Sequence, residues 1–102
     1  MAFTLKWSEE ALEDIESIAT YIEKDSPIYT KSVVSKFFEK SEMLQKFPEL
    51  GRKVPEFNDP IIREIFVYSY RLIYKENLFV AVVYGKRLLE NHQKSITSQS
   101  SQ

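Results

Sequence analysis

The feature that most constrains this chain is one change in the period of its apolar residues. Leu12, Ile15, Ile18, Ala19 and Ile22 recur at helical steps, and Val33, Val34, Phe37, Phe38, Leu44 and Phe47 repeat the pattern further on. Each set forms an apolar stripe on one side of a helix. From Ile61 the character changes. Ile61 to Tyr68, Tyr70 to Lys75 and Leu78 to Tyr84 are rich in β-branched and aromatic residues, as strands are. Ahead of everything, Phe3-Thr4-Leu5-Lys6-Trp7 alternates apolar and polar, which predicts a short strand. The two stripes must be buried against something, and a sheet offers a face. The pattern therefore predicts an α+β fold: a mostly antiparallel four-stranded sheet with an N-terminal helical hairpin packed on one face, in the order β-α-α-β-β-β.

The boundaries have local causes. Ser8 supplies a capping oxygen, and Glu9 and Glu10 put negative charge at the positive end of the first helix dipole. Asp25-Ser26-Pro27 stops that helix and starts the next, because proline fits a first helical position where no amide donor is needed. Pro48, Pro55 and Pro60 predict irregular chain over 48–60, with Gly51 expected at positive φ. Glu76-Asn77 predicts a tight connection and Gly85 the end of the last strand. Lys86 to His92 is expected to form a further short element. Residues 1–92 thus read as a single domain and the polar residues 93–102 as a disordered tail.

Several function classes are excluded. A chain of 102 residues has room for one core. It has no cysteine and one histidine, His92, so it has neither a thiol nucleophile nor a Cys/His zinc site. Glu9, Glu13 and Glu16 read as a solvated helix face rather than a metal site. No metal or cofactor is expected. The N-terminus does not read as a signal peptide and no apolar stretch is long enough to span a bilayer, so a cytoplasmic protein with no membrane partner is expected. Charge is divided unevenly. Residues 1–45 hold five Lys and nine Asp/Glu, a balance of −4, while residues 46–102 hold nine Lys/Arg and six Asp/Glu, a balance of +3. A basic second half suits an acidic or phosphate-bearing partner.

The residues that stand out are arginines on or near the strands: Arg63, Arg71 and Arg87. A guanidinium cannot lose its charge, so within a strand it needs an anion or a wet cleft. Arg63 fits either a pair with a carboxylate such as Glu56 or a solvated edge. Arg71, inside an apolar run, fits either a structural cation or a phosphate ligand. Arg87, beside Lys86 where the chain leaves its last strand, is the candidate for contact with an external partner. His92 titrates near neutral pH, and Tyr84 offers a hydroxyl and a stacking face. Tyr68, Tyr70 and Tyr74 read as sheet packing.

Taken in order, these pieces resemble the RelE/ParE superfamily of toxins from bacterial type II toxin–antitoxin modules, the plasmid-stabilisation type. Ala11-Leu12-Glu13-Asp14-Ile15 through Tyr21-Ile22 is similar to the first family helix, with Asp25-Ser26-Pro27 as its end. Phe47-Pro48-Glu49-Leu50-Gly51-Arg52-Lys53-Val54-Pro55-Glu56 is similar to the family loop. Arg63-Glu64, Tyr70-Arg71-Leu72-Ile73-Tyr74 and Val83-Tyr84-Gly85-Lys86-Arg87 resemble the strands that follow. The resemblance covers about residues 3–88 and implies a toxin bound in a hetero-oligomer by a cognate antitoxin, seated in the apolar groove between helices and sheet. It leaves two targets open. RelE-like members are ribosome-dependent mRNA endoribonucleases, and that reading makes Arg71 and Arg87 phosphate ligands with His92 or Tyr84 as the proton-transfer group. ParE-like members poison DNA gyrase, and that reading gives Arg63, Arg71, Lys86 and Arg87 target contacts and no catalysis. The Gly51-to-Glu56 loop and Arg63-Glu64 look more like the ParE branch, and Phe57-Asn58-Asp59-Pro60 lacks the lysines that RelE-like enzymes use before the second strand. A family member that only binds antitoxin is the remaining alternative.

Overall fold

The structure, a computed structural model, describes residues 6–75 and 78–85. Its elements are β1 (Lys6–Trp7), α1 (Glu9–Glu23), α2 (Pro27–Lys46), β2 (Arg52–Lys53), β3 (Ile62–Val67), β4 (Tyr70–Lys75) and β5 (Leu78–Tyr84). Both helices start where the serines direct. Ser8 Oγ accepts from the Ala11 amide at 3.0 Å, and Ser26 Oγ from the Tyr29 amide at 3.1 Å, with Pro27 in the first turn.

The sheet has five strands in the order β1-β5-β4-β3-β2. β3, β4 and β5 form the predicted antiparallel meander, while β1 runs parallel to β5. The fifth strand corrects the expectation of four. Arg52 and Lys53, expected in irregular chain, pair antiparallel with Glu64 and Arg63. Two residues carry no legible period, so only the partner strand reveals them.

Two cores lie on opposite faces of the sheet. On the helical face, Ala11, Ile15, Ile22, Val33, Phe37 and Leu44 pack on Val67, Leu72, Tyr74, Phe79 and Val82. On the other face, Val54 and Phe57 of the 54–60 loop cover Ile62, Ile73, Val80, Ala81 and Val83. The sheet is therefore covered on both sides, by helices and by a loop. The predicted helix stripes are shifted at their margins. Ala11 takes a fully buried position while Leu12, about 100° further round the helix, is exposed. Phe38 and Phe47 are also exposed. Phe38 lies 5.2 Å from Trp7, ring centre to ring centre, at the rim of the core.

Gly51 is the second correction. Neither Gly51 nor Gly85 has positive φ. What Gly51 needs is space: an added Cβ would lie 2.6 Å from Tyr74 Oη and 2.7 Å from the Glu64 carbonyl oxygen. Its amide donates to Tyr74 Oη at 3.1 Å, and that hydroxyl donates to the Pro48 carbonyl at 2.6 Å. The positive φ belongs instead to Tyr68, at 55°, in the two-residue turn between β3 and β4.

Candidate functional site

The predicted arginines separate once side chains are placed. Arg71 is 3% exposed, on the loop-covered face of β4. Its Nε donates to Glu64 Oε1 at 2.6 Å, and its Nη1 and Nη2 donate to Glu56 Oε2 at 2.7 Å and Oε1 at 2.6 Å. The second oxygen of Glu64, itself fully buried, accepts from Arg52 Nε at 2.6 Å. Arg52 and Glu64 are direct cross-strand partners on β2 and β3. Two cations are thus balanced by two carboxylates, one of them bidentate, in the arrangement that makes guanidinium–carboxylate pairs strong. The Arg71 bonds hold the Glu56 carboxyl below its usual range, and the same bonds raise Arg71 further above its own.

Of the two openings left for Arg71, a structural cation or a phosphate ligand, its surroundings favour the first: the guanidinium is almost fully buried and bound to two carboxylates. Arg63 takes a different partner from the carboxylate named for it. Its expected partner Glu56 goes to Arg71, and Arg63 Nη1 donates to the Gly51 carbonyl at 2.8 Å from a half-buried position. The quartet and Arg63 together fasten the loop between α2 and β3 to the sheet. Arg52 keeps 58% of its side chain exposed and lies over the Phe66 ring at 5.3 Å.

An open site lies at the opposite side of the molecule. Asp14, Ser17, Ile18 and Tyr21 of α1, with Tyr70, Val82, Val83 and Tyr84, line a cleft of about 540 Å³. Asp14 Oδ2 accepts from the Val82 amide at 2.9 Å and ties α1 to β5. β1 pairs with β5 only at Leu78 and Phe79, so among the described residues Val80–Tyr84 forms a sheet edge. A second hollow, lined by Glu13, Glu16, Ser17, Thr20, Tyr21 and Lys24, adjoins the first through Ser17 and Tyr21.

Tyrosines gather here. Tyr70 meets Tyr84 edge to face at 6.0 Å and Phe37 at 6.1 Å, and Tyr29 meets Tyr68 at 6.0 Å. Burial, then the neighbouring tyrosines 29, 21 and 84, push the Tyr70 hydroxyl above its usual range, so it stays a neutral donor. Reading these tyrosines as sheet packing did not show this cluster, because its members come from α1, α2, the β3–β4 turn and two strands. Tyr74 is buried in the helical-face core and Tyr70 packs against that core, as expected. Tyr84 is half exposed at the mouth of the cleft. Lys86, Arg87 and His92 lie outside the described residues, as do Phe3, Leu5, Glu76-Asn77 and the 93–102 tail. The chain continues toward Lys86 and Arg87 from Gly85, whose amide donates to the Ser69 carbonyl at 2.7 Å beside the cleft. No described helix is long and apolar enough to cross a membrane.

Comparison with known proteins adds the following. A family model described as the ParE toxin of the type II toxin–antitoxin system parDE matches residues 5–89. Among solved structures, a chain of the chromosomal ParDE toxin–antitoxin system from P. aeruginosa superposes with a TM-score of 0.63 at 20% identity, over 80% of this chain and 95% of that one. At that identity the likeness is one of fold. A search of curated proteins finds no match.

Proposed function

This chain belongs to the ParE toxin family of type II toxin–antitoxin systems, and from that premise we propose that it inhibits DNA gyrase and is held inactive by a cognate antitoxin. The observation that favours gyrase binding over mRNA cleavage is the environment of Arg71. A nuclease of the RelE kind needs that guanidinium free to stabilise a scissile phosphate. Here it is held by Glu56 and Glu64, and two carboxylates at that spot repel a phosphate as strongly as the arginine attracts one. Target contact then falls to Lys86 and Arg87, which follow Gly85 in the sequence. The cleft between α1 and β5 is the seat for the antitoxin, because it joins an apolar floor to a strand edge that, among the described residues, no strand covers beyond Phe79, two features that an extended or helical segment can use.

The test is a supercoiling assay with the purified chain. The expected result is loss of supercoiling or accumulation of cleaved DNA, weakened by Arg87→Ala. Normal gyrase activity at large toxin excess overturns the proposal. Cutting of ribosome-bound mRNA that Arg87→Ala abolishes would replace it with the nuclease. Normal growth on expression without antitoxin would replace it with an inactive, antitoxin-binding protein.

A further inference from the structure

We propose that the cleft between α1 and β5 selects an extended, arginine-bearing segment, and that this is the part of the antitoxin which the toxin recognises. The inference rests on the antitoxin reading above and adds the chemistry of the segment.

Three features of the cleft converge on that occupant. The first is its aromatic lining. Tyr21, Tyr70 and Tyr84 line it, and Tyr21 and Tyr84 are among the exposed large side chains of the fold. A tyrosine ring face attracts a cation, and a planar guanidinium both stacks on the ring and keeps its N–H groups in the ring plane for other bonds. The second is charge. The adjoining hollow carries the exposed carboxylates of Glu13 and Glu16, with Lys24 the single cation among the described residues that line it. An acidic segment would be repelled there and a basic one drawn in. The third is the strand edge. An extended segment that pairs at this edge sends alternate side chains to one side, so an arginine on the cleft side would meet the tyrosines that line it. Asp14 already holds the Val82 amide, and backbone groups alternate between the two sides of a strand, so Val83 faces β4 and Tyr84 is the described residue that still offers groups at the edge. The volume of about 540 Å³ lies within the range of roughly 300–1,000 Å³ usual for pockets that enclose a ligand.

The direction of this preference is opposite to the charge of the second half of the chain. The molecule offers one acidic–aromatic surface on α1 and a basic sequence beyond Gly85. A partner that contacts both carries segments of opposite sign.

The experiment titrates the full-length, isotope-labelled chain with three synthetic octapeptides, alternating valine with arginine, lysine or glutamate. Backbone amide shifts are followed at low and at physiological salt. The arginine peptide is expected to move Ser17, Ile18, Tyr21 and Val83–Tyr84, the lysine peptide to bind several-fold more weakly, and the glutamate peptide not to bind. Tyr21→Ala and Tyr84→Ala should each weaken arginine-peptide binding about threefold, the scale of an exposed cation–π contact. The double variant Glu13→Lys/Glu16→Lys should weaken it roughly tenfold at low salt and less at high salt. All four side chains are exposed, so circular dichroism should report an unchanged fold. Equal binding of the glutamate peptide, shifts centred away from the cleft, or affinity unmoved by these variants would each overturn the inference. Growth arrest is read separately. A gyrase inhibitor whose cleft ignores the arginine peptide loses this inference alone. A chain that binds it in the cleft but arrests nothing loses the toxin reading and keeps the cleft.

Discussion

The two sides of the sheet handle charge in opposite ways. On the loop-covered side, Arg71, Glu64 and Glu56 are brought together at 2.6–2.7 Å, with Arg52 closing the set at 2.6 Å, and every charge has a counter-charge. On the side where α1 meets β5, carboxylates and tyrosines are set around an open cleft. A buried charge set can survive only when it is complete, because each ion has given up water. An exposed set is under no such constraint, so it can be left unbalanced for a partner to complete. The difference separates a region whose charges hold the fold from one whose charges are available for binding.

That contrast can be broken most directly at Arg71. Arg71→Ala leaves Glu64 buried with a single partner, and chemical denaturation should register a loss of about 3–5 kcal/mol. Replacing Arg71, Glu64 and Glu56 together, by methionine, leucine and glutamine, should recover much of it, since no carboxylate is then left without its cation. At a temperature where Arg71→Ala remains folded, gyrase inhibition per folded molecule should match the parent. A selective loss of inhibition there would move Arg71 back among the target-binding residues.

Gly51→Ala should be next in size. The new methyl would press on the Tyr74 hydroxyl and on the Glu64 carbonyl oxygen, which belongs to a strand and cannot give way. A loss of about 1–3 kcal/mol is expected from overpacking of this kind, read as a lowered Tm. Tyr74→Phe alongside should not return the loss, because the Tyr74 ring carbon Cε1, 2.8 Å from the added methyl, remains and the hydroxyl's two hydrogen bonds go.

Acid titration sharpens the comparison further. Glu56 has its folded pKa lowered below the ordinary 4.5 by its bonds to Arg71. A lowered folded value means that the unfolded chain binds the proton first as pH falls. The stability from Glu56 is therefore complete above pH 4.5 and is lost as pH drops through the folded value. Glu56→Gln should lower stability at neutral pH and flatten its fall below pH 4.5. An unchanged acid slope would show that the bidentate pair adds nothing.

The smallest effect is expected at Tyr68. Its φ of 55° is unfavourable for a bulky residue, and its ring lies 6.0 Å from Tyr29 in the exposed tyrosine group. Tyr68→Gly should relieve about 1 kcal/mol of backbone strain while removing that ring contact, so Tm should change little or rise. A fall of several degrees would mean that the ring contact stabilises more than the turn costs.

Much of this was legible in the chain itself. The switch from helical to strand period gives two helices ahead of a meander, and Ser8, Ser26 and Pro27 mark helix starts to the residue. The ion quartet had a sequence signal that was not used. Glu64 alternates with Ile62 and Phe66, and Arg71 with Ile73, so two opposite charges lie on one otherwise apolar strand face. Each needs the other, and pairing β3 with β4 brings them to a diagonal.

What only the tertiary structure decided is where distant segments meet. The strand at Arg52–Lys53, the closeness of Gly51 to Tyr74, and the joining of Tyr21, Tyr70 and Tyr84 around one cleft all depend on packing between elements far apart in sequence. Local preference acts over one or two turns of chain and fixes which segments are helices and strands. Whether a charge is spent inside the fold or offered to a partner depends on what faces it across the core, and the sequence order of Arg63, Arg71 and Arg87 carries no information about that.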